Sequence, residues 1–471
     1  VLLYDSAIEG LRAQRAGLEA DLELWEKRAS KNGDLPLHQS QVSRLKLQIS
    51  SALSSALEGT PLDGNSVAPF EGTVADLPEL RRAMGTVHLL WDFFRDKLAQ
   101  RDTAAYVNFL GVADDLAWSC YEPFLVAARD AGTVNELQLK EPPLVFLTAD
   151  RAPFAQARTK ALHPPGLDSK DLEQVAEEVR RLPVPVIGVP WSVVNRLSEV
   201  VLIGHEAGHV IAEDLKFAAE AIEVISGLDL KGTDAEERKI VWRAWSDEIF
   251  ADIIGVLATG TAFVSGLAAE IAGAPSEIGQ AQIKLPSPGR YPTPMLRMAL
   301  CGEVLRLMGL DPPGAWSSTY PRIVGDSSAF KGDIVCLTSG LLEHAWTPIG
   351  HRKLTEVLSW SPRMETDAIR VATAIRRNVQ AEVNFSVRLW VAAAMHAALE
   401  EPMTFKKLNL DELLASFIID RRTDTVRSSH PIRSATLAMA PDSTPTGREA
   451  RLQSSDQDAG RGIAERLHLH P

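Results

Sequence analysis

Between Leu197 and Leu215 the chain reads LSEVVLIGHEAGHVIAEDL, a largely apolar stretch that carries the pentad His205-Glu206-Ala207-Gly208-His209. Residues four apart share one face of a helix. His205 and His209 can therefore direct two imidazoles at one metal ion. Glu206 lies beside the first of them, where its carboxylate can reach a water held by that metal. A histidine pair at this spacing with an adjacent glutamate is the arrangement of a zinc hydrolase. It requires a helix set firmly against its neighbours, because imidazoles aimed at one point cannot tolerate a shifting backbone. Gly204 and Gly208 sharpen this requirement. Each costs a helix interior about 1 kcal/mol relative to alanine, so close approach of another backbone is expected there.

A pair of histidines needs a third ligand. Positions 212 and 215 after the pentad hold Ala212 and Leu215, which excludes a third histidine or carboxylate there. The segment Trp245-Ser246-Asp247-Glu248-Ile249-Phe250-Ala251-Asp252 supplies an alternative. Glu248 and Asp252 are four apart on one helix face. Glu248 can bind the metal while Asp252 accepts a hydrogen bond from a ligand imidazole, which fixes its tautomer and raises its basicity. Their neighbours Ile249, Phe250, Ala251, Ile253 and Ile254 are apolar. The helix is thus expected to be buried, and a buried carboxylate needs a partner.

H-E-x-x-H followed by E-x-x-A-D on a second helix resembles the gluzincin metallopeptidases. The resemblance spans roughly residues 184 to 300. It implies a zincin-like fold and zinc held by His205, His209 and Glu248, with Glu206 as general base and Asp252 behind a ligand histidine. Tyr291-Pro292-Thr293-Pro294-Met295-Leu296-Arg297 is similar to an element of HtpX-like gluzincins. That element reads His-Pro-x-x-x-x-Arg, so proline and arginine match while Tyr291 stands where the family has histidine. Tyr291 and Arg297 are accordingly expected at the catalytic site as candidates for stabilising the oxyanion, with His351 a further candidate. His344 and His351 flank a short loop around Trp346, and their ordinary role is structural. The G-x-M-E-N element of aminopeptidases is absent, which argues against that kind of exopeptidase.

The remaining chain sets this site in a mainly helical α+β frame. Ile8, Leu11, Leu18, Leu22 and Trp25 recur at helical spacing, as do Val42, Leu45, Ile49 and Leu53, with a break at Asn32-Gly33-Asp34. This predicts a helical hairpin over residues 5 to 58. Two more helices are expected over about 77–101 and 103–131. Pro142–Thr148 and Val184–Pro190 read as strands, the second placed at a sheet edge by its prolines. An edge strand beside the metal helix would let an extended peptide pair by backbone hydrogen bonds. The metal helix is expected to start at Ser192 as N-cap. A long helix is expected from Glu236 through Ala258, and further helices over 295–308, after Phe330, over 366–399 and up to Asp420. The expected organisation is an N-terminal helical region at 1–135, a zincin-like metalloprotease domain at 136–425 and a disordered tail at 426–471.

Net charge narrows the partners. At −13 the chain lacks the basic surface that nucleic acid demands. Its longest uncharged apolar run, Ile253 to Ala269, falls short of the roughly 20 residues of a spanning helix. The opening VLLYDSAIEGLRAQR does not resemble a signal peptide, and the start at Val1 suggests a longer parent chain. Cys120, Cys301 and Cys336 are far apart and odd in number, which favours a reducing, cytoplasmic setting. These features predict a zinc metalloendopeptidase acting on a protein or peptide, with the N-terminal helices available to a protein partner. The rival is a catalytically silent zinc-binding scaffold or regulatory protein acting through those helices. Glu206 distinguishes the two, because a scaffold has no use for a base at that position.

Overall fold

The structure is a computed structural model that describes residues 2–58, 60, 62, 77–135, 139–150, 153–155, 178–179, 182–194, 196–271, 289, 291–312, 327–377, 386–407, 409–420, 457 and 461. The sequence also reads as loops at 59–75 and 274–294 and as a polar helix at about 168–181, and these segments, with the expected tail at 426–471, fall wholly or mainly outside these residues.

Four long helices open the chain: α1 (Leu2–Ala29), α2 (Gln39–Ala56), α3 (Leu77–Ala99) and α4 (Ala104–Asp130). The apolar positions read as helix faces in α1 and α2 are buried against each other and against α3. Trp25 meets Trp91 edge to face at 6.3 Å between ring centroids. Three strands follow, β1 (Leu144–Thr148), β2 (Phe154–Ala155) and β3 (Val186–Pro190). They form one sheet in the order β1-β3-β2, with β1 parallel and β2 antiparallel to β3.

Strand β3 is therefore central rather than at the edge. Its prolines explain the difference. Pro185 precedes the strand and Pro190 ends it, so Val186-Ile187-Gly188-Val189 keeps every N–H and accepts a neighbour on each side. The edge nearest the metal helix is the two-residue β2.

Side chains alternate between the two faces of a strand. Leu144, Phe146, Phe154 and Val186 pack with α1–α3, whereas Val145, Leu147, Ile187 and Val189 pack with the remainder of the chain. The sheet thus stands between two hydrophobic cores. Helix α4 was expected with the N-terminal region, but Leu110, Trp118 and Phe124 bury it in the second core. Buried polar contacts bind the two sides together. Arg101 donates to Asp114 of α4 at 2.7 and 2.9 Å and to the Val145 carbonyl at 2.8 Å, while the Val145 N–H donates to Asp114 at 2.9 Å.

After β3 the chain makes two 3₁₀ turns, Trp191–Val193 and Leu197–Leu202, before α5 (Ile203–Asp214), the helix that carries the histidine pair. Ser192 is thus not its N-cap. The N–H of Leu197 is capped from the far end of the chain, by Asp411 at 2.5 Å. Lys216, in left-handed conformation, leads into α6 (Phe217–Gly227). The expected long helix is three: α7 (Ala235–Ala244), α8 (Ser246–Thr259) and α9 (Thr261–Glu270), broken at Trp245 and at Gly260 with φ +59°. Then come α10 (Pro294–Leu307), α11 (Ser327–Glu343), the short α12 (Leu354–Val357), α13 (Pro362–Arg376), α14 (Val387–Glu400), α15 (Pro402–Lys407) and α16 (Leu410–Asp420). Among the described residues no helix is long and apolar enough to cross a membrane.

Candidate metal centre

Helices α5 and α8 lie against each other at very short range, and their sequences permit it. A Cβ built on Gly208 would stand 2.7 Å from the Ala251 Cα, and one on Gly204 would stand 3.3 Å from the Gly255 Cα. Small residues on both helices replace side-chain contact with backbone contact. This brings the histidines of α5 within reach of the first turn of α8.

There His205 Nε2, His209 Nε2 and Glu248 Oε2 converge. The two nitrogens are 3.1 Å apart, and the oxygen lies 3.4 Å from His205 and 3.8 Å from His209. In a tetrahedral zinc site with ligand bonds near 2.0–2.1 Å, ligand atoms are about 3.3 Å apart. The three donors thus already approximate one face of such a tetrahedron. This is also the group of histidines and acids that can hold a metal ion among the described residues.

The chemistry of the donors fits a cation. His205 Nδ1 is 2.9 Å from Asp252 Oδ1, and His209 Nδ1 is 2.9 Å from Asp247 Oδ2. An imidazole that donates its Nδ1–H to a carboxylate presents a bare lone pair at Nε2. Two such lone pairs and a carboxylate oxygen face one another. Glu248 Oε2 is buried and has no hydrogen-bond partner, an arrangement that is costly unless a positive charge sits among them. The protonation of His205 reports the same preference. Burial alone would lower its pKa, but Asp252 and Glu248 outweigh burial and raise it to about 9.

Behind His205 stands a second ion pair. Arg297, on α10, donates Nε and Nη2 to the two Asp252 oxygens at 2.8 and 2.5 Å. Burial would raise the Asp252 pKa, yet Arg297 and His205 hold this carboxyl well below the usual carboxylate range. Arg297, expected as a candidate at the reacting oxygen, lines the same cleft as Glu206 and Tyr291 and turns its Nε and Nη2 edge to Asp252. Arg297 reaches Asp252 because α10 packs on α8 where Asp252 projects.

The centre opens into a cleft of about 610 Å³ lined by His205, Glu206, His209, Glu248, Tyr291 and the edge-strand residue Ala155, among others. Glu206 is 6% exposed and follows the first ligand on α5. Tyr291 is 47% exposed on the cleft wall. His344 and His351 are elsewhere. His344 contacts Glu220 at 2.7 Å, and the His351 N–H donates to the Trp346 carbonyl, with neither side chain lining the cleft.

Sequence reasoning assigned no role to Asp247, although it directly precedes Glu248. A carboxylate one residue before a ligand on the first turn of a buried helix was the available signal. Glu213 and Glu270, which also line the cleft, had no signal until the helices were placed. The chain matches no known protein-family model, no curated protein and no solved structure.

Proposed function

We propose that the protein is a zinc-dependent metalloendopeptidase of gluzincin type, with a zincin-like catalytic domain, that hydrolyses peptide bonds in a protein or peptide substrate. The observation that carries this reading is the convergence of His205, His209 and the unpartnered buried oxygen of Glu248 directly beside Glu206. His205, His209 and Glu248 would hold the ion. When bound, zinc supplies Lewis acidity toward the scissile carbonyl and lowers the pKa of water toward neutrality.

The protein's own groups do the rest. Asp252 and Asp247 keep the Nδ1 protons of the histidines and leave Nε2 free for ligation. Arg297 keeps Asp252 ionised. Glu206 takes the proton of the attacking water and then delivers it to the leaving amine. Tyr291, on the cleft wall, donates its hydroxyl to the developing oxyanion. Strand β2 presents an edge at the cleft through Ala155, where an extended peptide can add by backbone pairing.

Substitution Glu206→Gln tests the reading. The variant should bind one equivalent of zinc as tightly as the parent and cleave an unfolded protein substrate at least about a hundredfold more slowly. Cleavage at the parental rate would sink the mechanism. Zinc binding with no cleavage by the parent itself would favour the silent scaffold.

A further inference from the structure

A second, smaller cavity of about 180 Å³ adjoins the cleft, and Pro153, Leu202 and Glu270 line both. Its size suits one long side chain. Phe109, Val189 and Ile203 give it a buried apolar wall, while Arg196 and Glu270 are exposed at its open end and Glu199 is half-buried between. An apolar wall leading to a charged mouth suits a side chain with a hydrocarbon stem and an ionic head.

The sign of the charge follows from the partners. Arg196 forms an ion pair with Glu199. Glu270 makes no hydrogen bond and no close ion pair among the described residues. Glu270 feels Arg196 and also Arg297, but Arg297 is committed to Asp252, so at the mouth Glu199 and Glu270 face one arginine whose own side chain is largely in solvent. Partial burial pushes both glutamates up, and each also feels another acid: Glu199 feels Glu270, and Glu270 feels Glu206. A further cation would relieve this imbalance. Leu202 and Glu270 line both this cavity and the cleft that holds Glu206, which places the mouth beside the proposed general base.

We infer that this cavity is the subsite for a lysine or arginine side chain adjacent to the scissile bond, with Glu270 and Glu199 as its specificity-determining carboxylates. The inference rests on the peptidase reading for its location but not for its detection. The experiment measures binding to the full-length chain, with zinc and with chelator, of a neutral hexapeptide in which Lys, Arg, Leu or Glu is placed at each position in turn.

At one position Lys and Arg should bind about fivefold tighter than Leu, the value of one partly exposed ion pair. Glu270→Gln should erase that preference, bringing the Lys and Arg peptides to the affinity of the Leu peptide, and Glu270→Lys should shift preference to the Glu peptide. Equal binding of Lys and Leu peptides at every position, or a preference that survives both substitutions, overturns the subsite. Basic preference without cleavage of any peptide would keep the subsite and refute the peptidase. Cleavage without basic preference would do the reverse.

Discussion

At the scale of single residues, each histidine of the candidate metal centre is held by a carboxylate, and the two carboxylates differ. Asp252 is 1% exposed and bound to a buried arginine, whereas Asp247 is 59% exposed at the cleft. Removing the first should therefore do two kinds of damage. Asp252→Ala frees the His205 ring and should weaken zinc binding by about 10–100-fold. It also leaves the Arg297 charge buried without its partner, at a cost of about 3–5 kcal/mol in folding stability. Asp247→Ala should weaken zinc binding alone, since solvent replaces the lost contact. Chelator competition and chemical denaturation separate the two effects, and equal loss of stability in both variants would contradict this account. That His205 and His209 share one helix face was legible, because four-residue spacing on a helix is a property of the local chain. The Asp252–Arg297 pair was not, since Arg297 is 45 residues from its partner and only the packing of α10 on α8 brings them together.

At the scale of elements, the centre depends on how closely α5 approaches α8. Alanine normally improves a helix interior by about 1 kcal/mol over glycine. Gly208→Ala should do the opposite, because its Cβ would fall 2.7 Å from the Ala251 Cα, and overpacking of this kind costs about 1–3 kcal/mol. The helices must part, which draws both histidines away from Glu248, so zinc affinity should fall with stability. Gly85→Ala is the control. Gly85 is an exposed residue inside α3 with nothing within 4 Å of the added carbon, and stability should rise by about 0.5–1 kcal/mol. Thermal melts and zinc titrations of the two variants check the pair, and a stabilised Gly208→Ala would show that the helices are not in essential contact. Helix existence was legible from apolar spacing, and the glycines correctly announced a close approach. Boundaries were less so. The 3₁₀ turns ahead of α5 and the breaks at Trp245 and Gly260 answer to tertiary packing, and the Val186–Val189 strand looked like an edge only because its flanking prolines were counted as interior.

At the scale of the whole molecule, α5 is anchored by parts of the chain remote in sequence. The sheet separates the N-terminal helices from the body, and α16, at the end of the described body, caps the 3₁₀ turn that feeds α5 through Asp411. Burial raises the Asp411 pKa to about 6 against the hydrogen bonds from Leu197 and Ser198 and the charge of Arg196. An unfolded aspartate titrates near 3.9, so between about pH 4 and pH 6 the folded chain holds a proton that the unfolded chain has lost. Linkage then fixes the sign: the contribution of Asp411 to stability is greatest below about pH 4 and is lost as pH rises through about 6. Because the group is partly exposed, the effect is modest. Asp411→Asn keeps an acceptor for the Leu197 N–H and does not titrate. The melting temperature of the parent relative to this variant should fall as pH rises from 4 to 7 at constant salt. A relative rise would mean that the ionised carboxylate gains more from the N–H groups of the turn than it loses by burial, and the anchoring of α5 would then strengthen, not weaken, toward neutral pH.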